Sequence, residues 1–440
     1  MQVLIMASQL ILGISILVIL HEFGHYLAAR AFGIKVEKFY LFFDAWGFKL
    51  FSFKHKETEW GIGWLPLGGY VKIAGMIDES MDKDQMALPA QPWEFRSKPA
   101  WQRLIVMIGG VLVNIVTGIV IFAMLSYSYG EKYTINSSLK NGIVPSELAQ
   151  SYGFQTGDKL VSVDGEAIVR FEDALKIGHI LSDGVQYKVL RNNQEVSVSI
   201  PPDFAEKLGS AKAEFFMPRM HFFVAELTPG YPAEKAGLEV NDQILSVDTM
   251  AVQFFDEFKQ AIQTRKGLLT AFQVKRGEQV IVLNIAIDNN GMIGFKPDSK
   301  DFEYETIDYG FFESFPIGFK RAVETIDAQI KGWGKIFNGD IAVNKAVQGP
   351  IGIAKFYGGE WIWSRFWLFT ALISLGLAFM NILPIPALDG GHVVFLLIEI
   401  IVGKPLSEKF LEKAQLIGMI ILLTLMVLIF GNDLIGLFIN

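Results

Sequence analysis

Residues 3–20 read VLIMASQLILGISILVIL, and the apolar run continues unbroken into HEFGH at 21–25 and YLAARAFG at 26–33. Eighteen uncharged, mostly apolar residues are enough to cross the hydrocarbon core of a bilayer. A cleaved signal peptide would want a basic leader and a small-residue cleavage site. The chain instead starts Met1-Gln2-Val3, so the reading is a retained membrane helix. Composition agrees. Of the 440 residues 51% are hydrophobic and only 19% charged, against about 25% charge in a typical soluble domain. The net charge of -7, with no Lys/Arg-rich block, argues against nucleic acid as a partner. With no cysteine, disulfides and thiolate chemistry are excluded.

The motif inside that helix is H-E-x-x-H: His21, Glu22 and His25. Positions i and i+4 share a helix face, so two imidazoles can hold one metal ion, with Glu22 beside it as general base. Ionisable groups inside a span are costly unless paired, ligated or facing a polar cavity. A metal ion supplies the compensation. The expected ion is Zn2+, and a catalytic zinc needs a third protein ligand and an open position. The candidates lie in NILPIPALDGGH, residues 381–392. Asp389 is the apt oxygen ligand. His392 is the alternative, as a ligand or as a hydrogen-bond partner to one. His55, His179 and His221 fall outside the apolar runs and read as ordinary polar histidines.

Three more apolar runs follow, at about 102–129, 361–402 and 416–439. Arg30, Lys35 and Lys38 follow the first run, and Arg96, Lys98 and Arg103 precede the second. Lys404, Lys409 and Lys413 separate the third from the fourth. Positive loops stay cytoplasmic, so both short loops face the cytoplasm and the 130–360 region faces outward. The third run, 42 residues long, is read as one span broken near Pro384. Irregular backbone at membrane depth is tolerated where it lines a protein cavity. A membrane-spanning peptide bond must unwind before attack. Asn381 and Asn114 are candidates to hydrogen-bond the unwound substrate, with interhelical contacts as the plainer alternative. Pro384 breaks the local helix beside them.

Between the first two runs, GFKLFSFKHKETEWGIGWLPLGGYVKIAG reads as one or two β-hairpins at the bilayer surface, with edges open to an extended substrate. Further on, PSELAQSYGFQTGDKLVSVDG from Pro145 repeats as PAEKAGLEVNDQILSVDTM from Pro232, with Gly153 matching Gly237 and Asp164 matching Asp248 at an offset of 84 residues. Residues 315–337 show apolar positions at helical spacing, an amphipathic helix expected at the membrane surface or against the repeats.

Together these motifs resemble the site-2 protease family of intramembrane zinc metalloproteases, in its bacterial regulator-of-sigma-E branch with tandem PDZ domains. The family pattern pairs HExxH in the first span with Asn…Pro…Leu-Asp-Gly in the third, here HEFGH and Asn381 to Gly390. The resemblance implies His21, His25 and Asp389 as zinc ligands, Glu22 as catalytic residue and Asn381 as a substrate contact. It matches Gly110 to Asn114 to a GxxxN-like stretch in the second span. It implies a polytopic α-helical membrane protein with four transmembrane helices, a membrane-associated β-hairpin region and two inserted α+β PDZ-like domains. The expected divisions are 1–31, helix one; 32–101, a cytoplasmic β region; 102–129, helix two; 130–218 and 219–300, the PDZ-like domains. An amphipathic region, 301–360, then a broken third helix, 361–403, and a fourth, 414–440, complete the chain. The implied substrates are single-span membrane proteins trimmed beforehand, such as anti-sigma factors, and remnant signal peptides. The implied location is the bacterial inner membrane, with the active site toward the cytoplasm and the repeats in the periplasm. Two other readings compete: a zinc transporter, which predicts ligands spread along a route, and a non-catalytic PDZ scaffold, which predicts that Glu22→Gln changes nothing.

Overall fold

A computed structural model describes residues 2–76, 89–182, 184–210, 214–341 and 348–439. Stretches 77–88 of the expected β region and 342–347 of the amphipathic region lie outside the described residues. The chain divides into two units, Met1–Gly130 with Asp308–Asn440, and Glu131–Ile307.

In the first unit, α1 (Gln2–Ala31) and α2 (Ala100–Tyr129) cross where Gly24 meets Gly109 and Gly110. A Cβ on Gly24 would collide with the Gly109 carbonyl. Small residues at such a crossing allow the close backbone approach by which membrane helices pack. Between them β1 (Val36–Phe43), β2 (Lys49–His55), β3 (Thr58–Gly63) and β4 (Leu65–Ile73) form one sheet in the order β2-β3-β1-β4. The β2–β3 hairpin was expected. The strand β1 was not, nor its parallel pairing with β3 and antiparallel pairing with β4. Its KFYLFF run lacks the alternation that marks a half-buried strand.

The helix α3 (Ser314–Asn338) is amphipathic as expected, but it packs along α2 with its small residues. Gly318 abuts Ile119 and Ala123, Ala322 is buried with Phe122 and Leu375, and Trp333 stacks near Phe379. The apolar stripe of Phe319, Val323, Ile330 and Phe337 points outward. After α4 (Pro350–Tyr357), the third apolar run forms α5 (Trp363–Ile382) and α6 (Asp389–Val402). The break covers 383–388, where Pro384 and Pro386 remove backbone donors and hold the preceding residues extended. The chain ends in α7 (Glu408–Ile439), the least buried of the long helices. Among the described residues four helices, α1, α2, α5 and α7, are long and apolar enough to cross a membrane. The shortest, α5, has 20 residues, or about 30 Å of helical rise.

The second unit holds the repeat. The strand order of the first copy is Gln194–Ser199, Gln186–Arg191, Lys159–Val163, Glu166–Ala167. The second copy runs Gln279–Ala286, Leu269–Arg276, Gln243–Val247, Met250–Ala251, the same order. Each copy has its own core, one around Phe154, Tyr187 and Phe216, the other around Phe222, Phe258 and Phe272. The likeness reaches individual bonds. Arg191 forks onto Asp158 at 2.7 Å through two nitrogens and donates to the Gly153 carbonyl at 2.8 Å. Arg276 forks onto Asp242 at 2.8 and 2.7 Å and donates to the Gly237 carbonyl at 2.7 Å. Both aspartates are buried, and planar bidentate pairing is how a guanidinium stabilises such a carboxylate. These are two α+β copies of PDZ-like kind.

Candidate metal centre

The C-terminal half of α1 presents His21 and His25 one turn apart on a single face, their rings edge to face at 4.8 Å. Asp389 enters from the first turn of α6. Its Oδ2 lies 3.3 Å from His21 Nε2 and 3.3 Å from His25 Nε2, and the two Nε2 atoms are themselves 3.3 Å apart. Three potential ligand atoms thus form an equilateral triangle, and this is the His/Asp cluster able to hold a metal ion among the described residues. His25 Nδ1 donates to the Val106 carbonyl at 2.8 Å, which leaves the Nε2 lone pair facing inward. Asp389 Oδ2 is buried with no hydrogen-bond donor. Acceptors converging in a buried space call for a cation, because an unpaired buried charge is costly.

The backbone explains how the groups reach one point. A Cβ on Gly110 would collide with His25 Nε2 and lie 2.6 Å from His21 Cε1. Gly110 is therefore the floor on which the two imidazoles rest. At Asp389, the residues before α6 fold back onto its first turn. Gly390 abuts the Ile382 and Leu383 carbonyls, Gly391 abuts Ile385, and Ala387 takes a φ of +78°. Any side chain at these glycines would push Asp389 away.

Of the other expected residues, Asn381 sits with its amide 3.2 Å from His21 Nε2, and Asn114 with its amide 3.2 Å from His21 Nδ1. Asn114 also ties α2 to α5, its carbonyl accepting from Ser374 Oγ at 2.7 Å. Glu22 and Asn381 line, with the three triangle residues, a cavity of 720 Å3. Pro384 lies in the break and is not among the residues lining it. His392 lines the cavity but is outside the triangle. One wall is β4, from Gly68 to Ile73. In the sheet β4 pairs only with β1, so its second edge is free among the described residues. At the mouth, Asp44 accepts from Lys38 at 2.9 Å and from Tyr70 at 2.8 Å. Burial pushes the Asp44 carboxyl up, but those two hydrogen bonds outweigh it and hold it below the usual carboxylate range.

Gly24 is the part of the site that no motif marks: it is a small residue facing Gly109 and Gly110 across two helices, visible only once the helices are paired.

Spans enclosing two histidines and an aspartate, with a glutamate next to the first ligand, define a membrane-embedded metalloprotease. Comparison with known proteins gives the family. Residues 9–425 match peptidase family M50. The regulator of sigma E protease of Haemophilus influenzae is 31% identical over 97% of this chain and 98% of its own. Protease RseP of Yersinia pestis is 29% identical over 98% and 99%, and the regulator of sigma-E protease RseP of Salmonella typhimurium 29% over 97% and 97%. The chain belongs to peptidase family M50, as an intramembrane metalloprotease of the site-2 protease kind. Bacterial relatives and four apolar helices agree in describing a multi-pass protein of a bacterial inner membrane.

Proposed function

We propose that the chain binds Zn2+ at His21, His25 and Asp389 and cleaves peptide bonds in the membrane segments of single-span proteins trimmed beforehand. The observation that carries the reading is the triangle with 3.3 Å edges. Ligand atoms about 2.0–2.1 Å from one tetrahedral zinc stand about 3.3–3.4 Å apart. The ligands converge on one point, which favours a resident ion over a transport route. Bound there, zinc would polarise the scissile carbonyl and activate a water.

The chain's own residues supply the rest. Glu22 takes the proton of the attacking water and returns it to the leaving amine. The Val106 carbonyl fixes His25 in the tautomer whose Nε2 faces the site. We assign Asn114 the same task at His21. With its amide turned, its oxygen accepts from His21 Nδ1, which also satisfies an oxygen otherwise buried without a donor. Asn381, beside the reacting position, is assigned to the unwound substrate backbone, and Pro384 to keeping the adjoining loop from closing into helix. The substrate lies extended along the free edge of β4, which offers the backbone bonds that a melted helix has lost.

The basic clusters flanking the spans support this reading with the site toward the cytoplasm and the PDZ-like repeats in the periplasm. His25 lies six residues from the end of α1, about 9 Å of rise. Two of the named relatives are called regulator of sigma E protease, so anti-sigma factors are the first substrates to try, followed by remnant signal peptides. The test is co-expression of the wild type or Glu22→Gln with such trimmed proteins, and mass mapping of products. Cleavage inside the apolar segment by the wild type alone supports the reading. Cleavage outside it, or equal cleavage by Glu22→Gln, contradicts it.

A further inference from the structure

The geometry points to Gln415 of α7 as a substrate-positioning residue, set where the catalytic cavity adjoins a second chamber that receives residues next to the scissile bond. The assignment rests on the protease reading above.

Gln415 is 6% exposed, on a helix whose other faces are largely open. Its amide makes no hydrogen bond among the described residues. Its amide atoms are not sealed from the cavity, so a ligand or water there can reach them. It lines the 720 Å3 catalytic cavity and also a neighbouring one of 590 Å3. Met76 and His392 are shared in the same way, so these three residues stand at the boundary between two adjacent spaces. The second chamber is walled by Phe95, Phe395, Leu396 and Leu411, with the Arg103–Glu399 ion pair on one side.

A peptide lying along β4 has backbone groups satisfied on one edge only. On its other side each amide and carbonyl still lacks a partner. A glutamine amide offers one acceptor and two donors, so it can take either kind of backbone group. The apolar walls suit a side chain from a membrane segment, and the shared boundary makes substrate the occupant that adjacency to the catalytic cavity selects. His392 stands at the same boundary and stays outside the metal triangle.

The test uses the purified full-length chain and a panel of synthetic single-span peptides. Gln415→Leu keeps the volume and removes the hydrogen bonds. It is expected to bind metal at wild-type stoichiometry and to unfold at the same temperature or higher, since no hydrogen bond to the described residues is lost. Its kcat/KM should fall about threefold to tenfold, mostly through KM. Leu411→Trp, which narrows the chamber, is expected to favour peptides with smaller residues near the cut. Wild-type kcat/KM for Gln415→Leu, or metal loss with a lower unfolding temperature, would overturn the assignment and leave the protease reading standing. If the wild type itself cleaves no peptide, the protease reading falls, and the Gln415 assignment with it.

Discussion

Gly110 and His25 are in contact at the crossing of α1 and α2, so close that a methyl group on the glycine would occupy the place of the imidazole nitrogen. Gly110→Ala is therefore expected to push both histidines off the triangle. Overpacking of this kind costs about 1–3 kcal/mol. The larger effect should be on the metal, whose ligands tolerate only a few tenths of an ångström. The expected outcome is a folded membrane protein with little bound metal and no cleavage, measured by metal analysis and by thermal unfolding in detergent. Wild-type metal content in Gly110→Ala would show that the imidazoles do not rest there.

Asn114 tests the outer support of the site. Asn114→Ala leaves all three triangle atoms in place and frees His21 Nδ1. Groups that orient a metal ligand are worth about tenfold to a hundredfold in affinity. Competition with a chelator should show that loss, with Asn381→Ala affecting KM or kcat more than metal affinity. An unchanged metal affinity for Asn114→Ala would return Asn114 to a plain interhelical role.

Much of this site was legible in the residues because ionisable groups in apolar runs are few. His21, Glu22, His25 and Asp389 stand out against their surroundings, and the prolines at 384 and 386 mark the break that brings Asp389 in. Gly110 entered only as the start of a GxxxN-like stretch, and Gly24 did not stand out. Glycine is common in membrane helices, and only the helix pairing shows which glycine touches a ligand. The packing of α3 was hidden for a related reason. Its strongest periodicity, Phe319 to Phe337, faces outward, while Gly318 and Ala322 make the contact. Gln415 stood among Lys409, Glu412 and Lys413 as one more polar residue at a membrane boundary.

The repeats predict their own weak points. Asp158 and Asp242 are each 1% exposed and each answered by one forked arginine. Arg276→Met would leave Asp242 buried without its partner, at about 2–4 kcal/mol once the arginine's own exposure is allowed for. Arg191→Met should do the same to the first copy. Protease sensitivity within 222–295 for one variant and 143–216 for the other would follow, because each copy has a separate core. Equal sensitivity of both copies in either variant would contradict that separation.

Acid should loosen the sheet that walls the cavity. The Lys49 ammonium and the Tyr40 hydroxyl both hydrogen-bond Glu59, each at 2.6 Å, and hold its carboxyl down at about 2. A carboxyl with a lowered folded value stabilises fully above its ordinary value of 4.5, and that contribution is lost as pH falls toward about 2. Hydrogen exchange in β1–β3 should therefore differ between wild type and Glu59→Gln above pH 4.5, and the difference should shrink between 4.5 and about 2. A difference that persists at the acid end would assign the effect to shape rather than charge.

The central claim is that the 3.3 Å triangle holds zinc for Glu22 to work beside. Metal analysis of purified Glu22→Gln, read beside its cleavage rate, tests it most directly. One zinc per chain is expected, as in the wild type, with cleavage reduced by at least about a hundredfold. Zinc lost along with activity, or activity kept with zinc in place, would contradict it.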